Sequence, residues 1–163
     1  MKTAIVYYSM GGNCALVADR IAGATGADVL RIEPKEAYPD RGASKFLRGG
    51  ASALKKDEPE LVPYEFDAAN YERVIFGMPV WASRVTPPLR TFIVQNAESL
   101  RGKRIAAFVC SSSGSAEKPL ARLAELLGID GFEATASLVD PKDRPSEENE
   151  ARIAKFVEEL SQE

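Results

Sequence analysis

The chain has 163 residues, 45% hydrophobic and 28% charged, which suits one domain (1–163) that buries its own core. A net charge of −3 gives no footprint for nucleic acid, no apolar run is long enough for a membrane helix, and the first residues lack a signal-peptide pattern, so the expected location is the cytoplasm. With no histidine and only two cysteines, Cys14 and Cys110, the chain cannot build a Ser-His-Asp or Cys-His centre or a four-thiolate metal site, so chemistry beyond its hydroxyls, thiols, carboxylates and amides needs a borrowed cofactor.

Strand-like and helix-like segments alternate along the chain, the pattern of a parallel α/β domain. The first strand spans Lys2 to Tyr8, with the apolar run Ala4-Ile5-Val6-Tyr7-Tyr8. A helix from about Asn13 to Ala24 places Val17, Ile21 and Ala24 on one face. The second strand covers Ala27 to Glu33, and the third covers Arg73 to Gly77. Thr86 caps a helix that begins at Pro87, with Leu89, Phe92 and Ile93 as its stripe. The fourth strand is Arg104 to Cys110. The next helix runs from Ala116 to Leu127 and stops at Gly128. The fifth strand is Phe132 to Val139. Ser146 caps a last helix with the stripe Ile153, Phe156, Val157 and Leu160. Between residues 37 and 71, Phe46, Leu47, Ala51 and Leu54 allow a helix interrupted by Gly49-Gly50, while Asp57 to Asn70 reads as irregular.

Strands one, three and four are continuous apolar runs, as in central strands covered on both faces. Strands two and five alternate. Leu30 and Ile32 oppose Val29, Arg31 and Glu33; Phe132, Ala134, Ala136 and Leu138 oppose Glu133, Thr135, Ser137 and Val139. Alternating strands belong at edges, so right-handed crossovers give the order 2-1-3-4-5 in a three-layer, doubly wound five-stranded parallel sheet. Ligands in such sheets sit at the carboxyl ends of strands, which directs attention to loops 9–14, 78–86 and 110–115.

The first loop, Ser9-Met10-Gly11-Gly12-Asn13-Cys14, joins a buried strand to a helix without a charged residue. Successive amides at a helix start can cradle a phosphate, and Ser9 and Asn13 can add hydrogen bonds. The same residues also suit a plain tight turn. Cys14 and Arg20 have Cys-x5-Arg spacing, but the intervening Ala-Leu-Val-Ala-Asp reads as helix, which argues against a cysteine-phosphatase loop. The second loop, Met78-Pro79-Val80-Trp81-Ala82-Ser83, holds the only Trp, either a flat plate for a ring or a core residue closing the sheet's end. The third, Ser111-Ser112-Ser113-Gly114, can offer backbone donors, or Ser113 or Ser115 can cap the next helix. Cys110 reads as a small buried apolar residue.

Tyr8-Ser9-Met10-Gly11-Gly12-Asn13-Cys14 resembles the flavodoxin phosphate loop, with Ser9, Gly12 and Asn13 matching and Gly11 and Cys14 replacing hydroxyl residues. Gly77-Met78-Pro79-Val80-Trp81 and Pro87-Pro88-Leu89-Arg90-Thr91-Phe92 resemble the ring-binding loop and its continuation. The resemblance implies a flavodoxin-like fold binding flavin mononucleotide (FMN) through Ser9 to Cys14, Met78 to Ser83 and Ser111 to Gly114. It implies an electron carrier with a redox partner protein, in a monomer or homodimer. An NAD(P)H-dependent reductase of quinones or other small acceptors, or a flavin-free regulatory module, are the alternatives. Arg84 in the ring loop, and Arg41, Lys45 and Arg48 in the long connection, would favour an anionic visitor if they rim the pocket.

Overall fold

The computed structural model describes residues 1–38 and 57–162. The candidate helix around Phe46 to Leu54, and Arg41, Lys45 and Arg48, lie outside the described residues. Five parallel strands form one sheet: β1 (Thr3–Tyr7), β2 (Asp28–Arg31), β3 (Arg73–Pro79), β4 (Arg104–Ser111) and β5 (Thr135–Val139), in the order β2-β1-β3-β4-β5. One row of partners crosses it, Leu30 beside Val6, Val6 beside Phe76, Phe76 beside Ala107 and Ala107 beside Thr135. The alternating strands are the edges, as the sequence predicts, because only central strands need apolar residues on both faces.

Four α-helices among the described residues cover the sheet: α1 (Asn13–Thr25), α2 (Pro87–Gln95), α3 (Glu117–Leu127) and α4 (Glu147–Ser161). On one face Val6, Val74, Phe76, Ala107 and Val109 pack with Leu89, Phe92 and Ile93 of α2 and Leu123 of α3. On the other, Ile5, Ile75, Ala106, Phe108 and Leu138 pack with Val17 and Ile21 of α1 and Ile153, Phe156 and Leu160 of α4. Successive strand residues thus feed opposite cores, giving three layers. None of the described helices is long and apolar enough to cross a membrane.

Local structure departs from the sequence expectation in several places. The buried stripe of α1 is Cys14, Val17, Ala18 and Ile21, whereas Ala24, in the last turn, is exposed. Phe132 precedes β5 and packs into the α2–α3 core, opposite Ala134, Ala136 and Leu138, because the alternation does not extend back to it. Strand β3 runs two residues beyond Gly77 to Pro79, carried by pairing of Met78 with Val109 and Pro79 with Cys110. Thr86 occupies the N-cap position of α2, but its side chain makes no cap and its Oγ1 is buried without a partner. Helix α3 has Ala116 at its N-cap, so neither Ser113 nor Ser115 caps it. Ser146 does cap α4, its Oγ accepting from the Asn149 amide at 3.1 Å. Among the described residues before β3, 57–72 are irregular apart from a 3-10 turn at Ala68–Asn70 and a bridge from Leu61 to Pro34.

Candidate functional site

Loop one leaves β1 while Tyr8 still donates to the Gly77 carbonyl at 3.1 Å. Buried Ser9 is fixed from two sides: its Oγ accepts from the Ala15 amide at 3.2 Å, and Arg31 Nη2 donates to its carbonyl at 2.9 Å. Gly12 precedes α1 with φ of 94°, a conformation that penalises residues with a Cβ, and α1 has no side-chain cap. Among the described residues no acceptor meets the amides of Gly11, Gly12, Asn13 or Cys14. Those N–H groups, at the positive end of α1, are free to donate to an anion, a cradle for one. The Cys14 side chain turns into the core beside Cys110; burial, with Cys110 adjacent, pushes its thiol well above the usual range.

The second loop is held by the Val80 amide, which donates to the Cys110 carbonyl at 3.0 Å. Trp81 is only 7% exposed, with Tyr8 and Tyr38 packed edge-on at centroid distances of 5.5 Å and 5.1 Å. Burial, and then Tyr38, push the Tyr8 phenol upward, so it stays neutral there. Beyond Trp81 the chain reverses in a tight turn closed by the Arg84 amide on the Trp81 carbonyl at 3.0 Å, with Ala82 and Ser83 at φ of 51° and 55°. In the third loop, Ser111 Oγ accepts from the Gly114 amide at 2.8 Å, and Ser137 donates to the Gly114 carbonyl at 2.8 Å.

A fourth segment, residues 140–144 after β5, completes the rim. The Lys142 amide donates to Asn13 Oδ1 at 2.8 Å, and Asn13 Nδ2 donates to Asp143 at 3.2 Å. Arg144 pairs with Asp140 at 2.7 Å and donates to the Ser112 carbonyl at 2.8 Å, so this segment joins the first loop to the third. It is not among the loops 9–14, 78–86 and 110–115 that the strand order singles out. Its signal is charged Lys142-Asp143-Arg144 between Pro141 and Pro145, at the same carboxyl end of the sheet as the other loops.

These four segments enclose a cavity of about 310 Å³. Its lining includes Ser9, Met10, Gly11, Asn13, Cys14, Pro79, Val80, Trp81, Ser111 and Ser112 from the sequence-predicted set, joined by Cys110, Asp140 and Asp143. The other six predicted residues do not line it. Met78 is fully buried in the α2–α3 core. Gly12 sits in the cradle's backbone against Lys142, and Ala82 and Ser113 are exposed. Ser83 and Gly114 border a neighbouring cleft of about 500 Å³ with Glu117 and Lys118.

The Flavodoxin family model matches residues 2–129. A protein from Bacteroides eggerthii superposes with a TM-score of 0.77 at 20% identity, covering 99% of both chains. A Lactobacillus acidophilus flavoprotein solved in complex with FMN gives 0.72 at 20% identity, covering 95% of this chain and 97% of its own. The two-electron reduced flavodoxin of Megasphaera elsdenii gives 0.57 at 17% identity, covering 96% of each. At these identities the superpositions establish a shared fold.

Proposed function

Because this chain belongs to the flavodoxin family, we propose that it is a redox protein that carries electrons through non-covalently held FMN. The observation that carries this reading is the convergence of the loops after β1, β3 and β4 on one cavity, with a cradle of unbonded amides at one end and Trp81 in its wall. The residues suit the group. A phosphate needs donors already free of internal partners, which Gly11 to Cys14 offer at a helix start. A flavin ring needs an apolar wall, which Pro79, Val80 and Trp81 offer. The FMN complex of the Lactobacillus acidophilus neighbour, on the same fold, supports the same cofactor here.

Bound FMN supplies redox chemistry in one- or two-electron steps. The chain's own residues do the holding. The amides of Gly11, Gly12, Asn13 and Cys14 would bind the phosphate, with Asn13 itself fixed by the 140–144 segment. Trp81, braced by Tyr8 and Tyr38, would keep water from one side of the ring. Ser111 and Ser112, at the end of β4, would face its polar edge.

A second reading, an NAD(P)H-dependent reductase of a small acceptor, is favoured by Arg84 in the ring-loop turn and Arg90 on α2, which burial first and the Arg84 charge after it depress, against the opposing pull of Glu58. Two such cations would attract a dinucleotide's phosphates. Anaerobic reduction separates the two readings. A carrier is reduced by light in one-electron steps and ignores NADPH, whereas a reductase is bleached at once by NADPH.

A further inference from the structure

We propose that Lys142, on the segment after β5, is the residue that makes this site select FMN over the unphosphorylated flavin. The inference rests on the FMN reading above and assigns the phosphate end a cation that loop one lacks. Between Ser9 and Cys14 there is no charged side chain, so the cradle itself offers amide dipoles and a neutral hydroxyl, but no full positive charge, to an incoming dianion. The Lys142 ammonium stands at its lip. Nζ donates to the Gly11 carbonyl at 3.2 Å and lies 2.9 Å from the point a Cβ on Gly12 would occupy. The Lys142 amide on Asn13 Oδ1, at 2.8 Å, ties its backbone to the first helical residue of α1.

The surrounding charges single out this cation. Arg31, which touches the loop from the other side, is paired with Glu33 at 2.6 Å. Arg144 is paired with Asp140 at 2.7 Å. Asp143 accepts from Asn13 at 3.2 Å. Among the described residues no carboxylate pairs with Lys142, whose ammonium has only the neutral Gly11 carbonyl as acceptor. The two cavity-lining carboxylates, Asp140 and Asp143, oppose a dianion, and Lys142 offsets them at the phosphate end. Its side chain is exposed and flexible, so it can exchange the carbonyl for a phosphate oxygen without disturbing the fold.

The test is a fluorescence titration of the flavin-free chain with FMN and with riboflavin, at low and high salt, for the wild type, Lys142→Gln and Lys142→Arg. The expected result is roughly tenfold weaker FMN binding in Lys142→Gln, riboflavin binding unchanged within about twofold, and recovery in Lys142→Arg. The wild type should also lose FMN affinity with salt more steeply than Lys142→Gln does. FMN affinity unchanged in Lys142→Gln, or equal losses for both flavins, overturns the role of Lys142 while leaving the FMN reading intact. A wild-type chain that binds neither flavin overturns both.

Discussion

The turn after Trp81 shows what individual residues tolerate at the rim of the cavity. A two-residue turn with positive φ at both central positions favours Asn-Gly, yet this chain has Ala82-Ser83 at 51° and 55°. Left-handed backbone costs a residue with a Cβ about 1–2 kcal/mol, partly offset by the entropy a glycine loses on folding. The paired change Ala82→Asn with Ser83→Gly is therefore expected to stabilise the flavin-free chain by about 1 kcal/mol, read as a higher urea midpoint with an unchanged slope. A lower midpoint would mean that these side chains make contacts outweighing the strain. Residue types alone do not reveal this strain, because Ala82 and Ser83 are ordinary in a loop and only the closed Trp81–Arg84 turn makes them costly. Trp81 is similarly two-sided. Its uniqueness drew attention to it, but not its burial between Tyr8 and Tyr38, since Tyr38 comes from a distant stretch with no periodic pattern.

At the scale of elements, strands and helices followed from the sequence where apolar residues repeat without interruption. The runs around Val6, Ile75 and Phe108 have no second interpretation, and their neighbours' alternation was enough to order the sheet. Ends were harder, because they depend on partners. Strand β3 continues through Met78 and Pro79 only because β4 pairs with it that far, which moves Met78 from the supposed loop into the core. The 140–144 segment was illegible as a wall because its hydrogen bonds reach about 130 residues back to loop one. Gly77 leaves room for the ring of its β4 partner: a Cβ there would lie 2.2 Å from the Phe108 ring. Gly77→Ala is expected to cost about 3 kcal/mol through overpacking. Adding Phe108→Leu should recover part of that loss, so the two changes will be non-additive in a denaturation cycle. Additive losses would place the strain elsewhere.

Over the whole molecule, the cavity and an ion-pair network lie at opposite ends of the sheet. The cavity caps the carboxyl ends of the strands. At the amino ends, Arg73 of β3 makes two hydrogen bonds to Glu133, at 2.7 Å and 2.8 Å, and one to the Leu160 carbonyl at 2.8 Å, while Arg104 of β4 joins the same carboxylate. Burial alone would raise the Glu133 carboxyl, but the hydrogen bonds and charge of Arg73, with Arg104, overcome it and hold it below the usual range. A depressed folded value means that this stabilisation is fully present above the ordinary glutamate value near ~4.3 and disappears as pH falls through the lower, folded one. The wild type should therefore lose stability through that acid window more steeply than Glu133→Gln, whose side chain does not titrate. Thermal unfolding across pH checks it, and parallel curves would show that Glu133 carries none of this pH dependence. At neutral pH Glu133→Gln should be less stable, because buried Arg73 loses its counter-charge.

We propose that the cavity between the four segments holds FMN. Its most direct test is an absorbance and fluorescence titration of the flavin-free chain with FMN at neutral pH. The expected result is saturation at one FMN per chain, with a shifted flavin spectrum and quenched Trp81 emission. A spectrum that stays that of free FMN, with Trp81 emission unchanged at saturating concentrations, would contradict it.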